Sequence, residues 1–199
     1  MAQASQYQQI ARLQSIHASG GIEVELSAKD LWTVVHGMLF GAIFLLAFAG
    51  AAADLYAMNP AWETVRGVSK NSWRLIFGLW TMAVVAWATV ISGTWFVYIW
   101  YRAKPVPGVD LRRFPRYFLL SKESTHGWHE FGMEWKEHVA WLAPIILTSL
   151  AYCAYYYGPT LANSTRMRKY IFALLGVAFF AAAVAGAFGA FINKVAPTQ

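Results

Sequence analysis

Charge is what this sequence has least of. Asp, Glu, Lys and Arg together make up 13% of the chain, against about a quarter in an average soluble domain. Hydrophobic residues reach 58%, so much of the surface must face something other than water, which excludes an ordinary soluble domain. Cysteine is almost missing as well. Cys153 stands alone, which rules out an intrachain disulfide, a CxxC or CxxCH motif, covalent haem attachment and iron–sulfur ligation by this chain. Its apolar surroundings predict a small buried core residue.

Other absences narrow the function. There is no glycine-rich phosphate loop and no Ser/His/Asp set whose members belong together. The apolar runs hold no acidic residue, and neither a repeat nor a broken-helix pattern is present, which disfavours a transporter. The first 30 residues are Gln-rich and polar and lack an apolar run ending in a small-residue cleavage site. No secretory signal is expected, and the first span is expected to direct insertion. The net charge of +6 fits cytoplasmic loops and anionic headgroups rather than nucleic acid.

What remains is four long uncharged runs. Residues 31–53 carry one strongly polar side chain, His36, and are bracketed by Asp30 and Asp54. At about 1.5 Å per residue such a run crosses about 30 Å of hydrocarbon. The second run, 75–101, is flanked by Trp73 and Arg74 at one end and by Trp100, Tyr101 and Arg102 at the other, the expected interfacial anchors. The third, 139–157, has Pro144 near its start, where a missing backbone donor costs little, and Tyr155 to Tyr157 at its end. The fourth, 170–192, is built of Ala, Gly and Phe. A backbone in lipid must satisfy its own hydrogen bonds, and barrel-type alternation is absent, so the runs predict an all-α integral membrane protein with four transmembrane helices in an up-down bundle.

An even number of crossings puts both termini and the segment 103–137 on one face. That face carries ten of the 16 Lys and Arg residues against six opposite, which points to cytoplasmic termini in a bacterial inner membrane. Tyr7, Ile10, Leu13 and Ile16 predict a short amphipathic surface helix before Gly20-Gly21. Residues 103–122, with Pro105, Pro107, Gly108 and Pro115, predict an ordered non-helical loop along the headgroups, with helix resuming from Thr125 to His138.

Small residues in lipid mark close backbone approach. Gly37, Gly41, Gly93, Gly186 and Gly189 all fall in the terminus-side half of the membrane, where they serve helix packing or leave room for a flat cofactor. Four of the five histidines, His36, His126, His129 and His138, fall toward the same side. An ionisable side chain within a span is costly and usually functional, which puts His36 first. In a four-helix bundle the first and third helices lie diagonally, so His36 and His138, with His129 as a rival, are candidate axial ligands of one haem b iron; His36 reads alternatively as a hydrogen-bonded structural residue, or as a contact to another metal or a quinone. Gly37 and Gly41 then supply space, and Arg102, Arg112, Arg113 or Arg116 a propionate partner. On a helix, His126, Glu130, Glu134 and His138 share one stripe, which reads as a solvated amphipathic face, as a metal site, or as a surface for proton delivery or partner docking.

At the level of architecture the chain resembles small four-helix membrane b-type cytochromes that anchor respiratory enzymes and pass electrons to or from quinone. The resemblance carries no residue assignment. The second and fourth spans lack histidine, which argues against two haems. The expected function is a membrane subunit of a respiratory or photosynthetic electron-transfer complex, binding one haem b, possessing a quinone contact, and partnered by other subunits and lipid. The alternatives are a cofactor-free structural or assembly subunit and a small membrane metalloprotein using the Glu/His stripe.

Overall fold

The computed structural model describes residues 27–58 and 65–196, side chains at 65–71 and at 159 excepted. The surface helix expected around Tyr7 to Ile16 lies outside the described residues. Among the described residues the fold is all-helical with no strand, and four helices are long and apolar enough to cross a membrane. The protein is a four-helix membrane bundle.

Helix α1 covers Ala28–Ala57. Its start is fixed chemically: Ser27 Oγ accepts from the Asp30 N–H at 3.2 Å and Asp30 Oδ2 accepts from the Ser27 N–H at 3.2 Å. This reciprocal box satisfies donors that the first turn of a helix leaves open. Helix α2 covers residues 65–101 as Val65–Ser92, a π-helical turn Gly93–Val97 and a last turn Tyr98–Tyr101. Helix α3 is short, Pro115–Leu120; α4 is Glu123–His138, leading through a 3-10 turn at Val139–Trp141 into α5, Leu142–Leu161. Helix α6 is Thr165–Val195, started by Ser164 Oγ accepting from the Met167 N–H at 3.3 Å.

The segment 103–122 departs from the loop expected there. It contains a 3-10 turn at Leu111–Arg113 and then α3, with Pro115 at the first helical position. Proline is tolerated there because that residue's N–H has no helical partner to lose, and its fixed φ suits the helix.

Helix α1 packs on α2, α2 on α5 and α5 on α6, while α1 meets α6 over a smaller area in which Phe48 stacks on Phe179, centroids 4.0 Å apart. Helices α1 and α5 are therefore diagonal, as an up-down bundle requires. The main core is built from Leu75, Leu79 and Met82 of α2 against Leu147, Ala151 and Leu161 of α5, with Phe44, Leu55 and Leu175 contributed from either side. Lipid tails remove most of the hydrophobic drive between helices, so this core holds by close packing and interhelical hydrogen bonds such as Trp87 Nε1 to Thr148 Oγ1 at 3.0 Å. Cys153, expected to be buried, is exposed on α5; in a membrane an apolar stretch turns one side to lipid, so apolar surroundings do not imply burial.

A second, smaller core lies at the terminus-bearing end: Tyr101, Leu119, Met133, Ile192 and Ala196. Here α4 docks along α6. Gly132 lets it approach, since a Cβ there would stand 3.2 Å from Phe188 and 3.3 Å from Ile192. Trp135 Nε1 donates to the Ala181 carbonyl at 3.1 Å.

Candidate functional site

Two π-helical turns face each other near the terminus-bearing end, Val35–Leu39 in α1 and Gly93–Val97 in α2. Each inserts a residue into its helix and re-aims the side chains that follow; such bulges recur at functional sites. Between them Trp32 stacks flat on Phe96, with centroids 4.2 Å apart and an interplanar angle of 2°.

One turn deeper, His36 Nδ1 lies 2.9 Å from Ser92 Oγ, and the Ser92 hydroxyl donates to the Thr89 carbonyl at 3.1 Å. Where the hydroxyl proton goes to that carbonyl, Oγ accepts from Nδ1–H and Nε2 carries the lone pair. The ring lies directly on Gly93, where a Cβ would fall 2.8 Å from His36 Cε1. Glycine is required at that position by the imidazole.

The second part of the site joins the end of α2 to α4. Tyr98 and Tyr101, three residues apart, share a face of α2. The Tyr98 hydroxyl donates to Glu137 Oε1, and the Tyr101 hydroxyl is hydrogen-bonded to His129 Nδ1 at 2.7 Å. Arg102 stands over the Tyr98 ring, 5.0 Å from its centroid. Arg116 of α3 places its positive charge within electrostatic range of Tyr98, Tyr101 and His129. Its Nε is buried, and among the described residues it has no hydrogen-bond partner. An orphaned buried donor of this kind costs about 1–3 kcal/mol. Next to Glu137, Lys136 turns toward α6, its Nζ 3.4 Å from where a Cβ at Gly189 would stand, and its charge reaches His36. Two hydrogen bonds, Tyr98 to Glu137 and Tyr101 to His129, thus form a small polar network beside Arg116, with Lys136 and His36 nearby in electrostatic range rather than hydrogen-bonded to it.

The other residues expected from sequence fall around this network. His129 belongs to it. His138 does not: its side chain is 69% exposed and bonded within its own helix, with Nδ1 3.1 Å from the Glu134 carbonyl and 3.2 Å from Glu134 Oε2. Among the described residues no contact joins His138 to His36. His126 pairs with Glu130 at 3.3 Å. No three of His, Cys, Asp and Glu come together to hold a metal ion among the described residues, so the stripe on α4 is assembled as in-helix pairs. Arg113 is exposed in the turn before α3. A Cβ at Gly37, Gly41 or Gly186 would meet nothing within 4 Å, so these positions face open space rather than a neighbouring helix.

As a haem ligand set the arrangement is half complete. With Nδ1–H donated to Ser92, His36 would hold the tautomer that an iron-ligating imidazole needs, its other nitrogen held by a hydrogen-bond acceptor. No second imidazole faces it, since His138 points away and His129 is engaged with Tyr101. Tyr98, Tyr101, Glu137 and Ser92 were not singled out from sequence as site residues. The available signal was the Tyr98–Tyr101 spacing at a span end and an acid, Glu137, at the mouth of the next span.

No protein-family model matches the chain, and neither the curated proteins nor the solved structures contain a significant match to it.

Proposed function

We propose that this protein is a membrane subunit of a respiratory or photosynthetic electron-transfer complex and that its terminus-side network serves a quinone head group. The observation that carries this reading is the pair of interhelical hydrogen bonds, Tyr98 to Glu137 and Tyr101 to His129, beside the cation Arg116. Reducing a quinone consumes protons as well as electrons. Phenol, imidazole and carboxyl groups are the proton donors and acceptors that such a reaction needs. One cysteine excludes covalent haem and iron–sulfur ligation by this chain; in this reading the electrons come from partner subunits. The termini face the cytoplasm of a bacterial inner membrane, and the network draws its protons from that side.

The test uses the assembly purified from its native membrane. Tyr101→Phe removes the phenol proton while keeping the ring, and it should lower quinone-dependent turnover by about tenfold or more, the loss of one well-placed hydrogen bond or proton donor. Glu137→Gln should act in the same direction. Full turnover in both variants, with the complex intact, refutes the quinone role.

A second reading, one haem b on His36, is favoured by the Nδ1–Ser92 hydrogen bond that leaves Nε2 free to ligate. When bound, haem would supply one-electron transfer; the protein's part is to orient the imidazole through Ser92 and to exclude water with Trp32 and Phe96. A reduced-minus-oxidised spectrum should then show a b-type band that is lost in His36→Ala. A flat spectrum from folded wild-type protein removes the haem and leaves the quinone role to the network alone.

A further inference from the structure

On the opposite half of the membrane, away from the network, a groove of about 630 Å³ opens between α1 and α2 toward the lipid. Its floor is made by Gly50 and Gly78; a Cβ at Gly78 would touch the Ala47 carbonyl and Ala51 Cβ at 3.6 Å, while one at Gly50 would meet nothing. Its walls are Leu46, Phe77 and Trp73, all exposed. The lining is nearly all apolar until the mouth, where Asp54 and Arg74 stand.

We infer that this groove is a phospholipid site, holding one acyl chain between α1 and α2 with the headgroup phosphate on Arg74. Length supports it. From Asp54 to Ile43 the groove descends about 16 Å at about 1.5 Å per residue, close to one leaflet of a hydrocarbon core about 30 Å thick. Charge supports it as well. Arg74 Nη2 is 3.3 Å from Asp54 Oδ1, with the carboxylate 7% exposed and the guanidinium 59% exposed. One nitrogen is thereby paired with a buried acid while the guanidinium as a whole stays largely exposed beside the groove. A planar guanidinium matches a phosphate through paired hydrogen bonds. Trp73 beside it has the amphipathic ring found at the headgroup level. The buried carboxylate thus acts as an anchor that aims the arginine rather than as a competitor for the lipid.

The experiment is native mass spectrometry of the detergent-purified protein with its copurifying partners, together with phosphorus analysis. Wild type should retain a phospholipid-mass adduct through detergent exchange. Gly50→Leu fills the open floor and should abolish the adduct. Arg74→Gln should weaken it about tenfold, the loss of a charge-assisted hydrogen bond. Far-UV circular dichroism checks the fold; if Gly50→Leu fails to fold, the exposed Arg74 variant carries the test. An adduct of equal strength in both folded variants, an adduct without phosphorus, such as an isoprenoid quinone, or no adduct on wild type overturns the proposal.

Discussion

A methyl group on Gly93 would collide with the His36 ring, 2.8 Å from Cε1. The atom it meets belongs to an imidazole already tied to Ser92, so the ring cannot swing aside without breaking that bond. Gly93→Ala should destabilise the bundle by about 1–3 kcal/mol, the usual range for overpacking. His36→Ala removes both the obstacle and the hydrogen bond. Combining the two should therefore cost less than their sum, with a coupling of about 1 kcal/mol or more. Thermal unfolding of the detergent-purified single and double variants measures this. Costs that add within about 0.5 kcal/mol would show that His36 does not rest on Gly93 in the membrane. His36 itself was legible in the sequence, being the one strongly polar side chain in an uncharged run. Its partner Ser92 was not, because a serine within a span announces nothing until the register of two helices is known.

At the scale of the element, hydropathy found the spans and missed their ends. The first run, 31–53, lies inside a helix covering Ala28–Ala57, and the last, 170–192, inside Thr165–Val195. The extra turns lie at or beyond the hydrocarbon edge, where Ser27, Asp30 and Ser164 cap them, and polarity there is no obstacle to a helix. Both π-helical turns were illegible for a related reason: in a run that is apolar on every side, a one-residue slip of phase leaves no trace in the pattern. Helix α4 illustrates the reverse. Its amphipathic character was readable, but the face it buries was not, since Gly132, Trp128 and Trp135 become a docking surface only when Phe188 and Ala181 of α6 are in place. The pairing of Tyr101 with His129 depends on that docking. The site was therefore half legible: His36 and His129 belong to it, whereas His138 points outward and two phenols do the joining.

For the whole molecule, an up-down bundle of four spans puts α3, α4, the network and both ends of the described bundle on one face. The titratable residues of the network thus face a single side of the membrane, and the proposed quinone role depends on which side that is. The sequence expectation, from positive-inside asymmetry, is that this face is cytoplasmic. Cysteine labelling checks this directly. Cys153 is first replaced by alanine, a change on a lipid-facing surface. Ser124→Cys, exposed at the start of α4, and Asn163→Cys, exposed between α5 and α6, then report opposite faces. A membrane-impermeant maleimide should label position 163 in intact spheroplasts and position 124 only in inverted vesicles. The opposite pattern would place the Tyr98, Tyr101 and Glu137 network on the periplasmic side. Quinone chemistry at the network would then exchange protons with the periplasm, so that a quinol oxidised there releases protons outward while a quinone reduced there consumes them. The labelling pattern therefore fixes the sign of any contribution the chain makes to a transmembrane proton gradient.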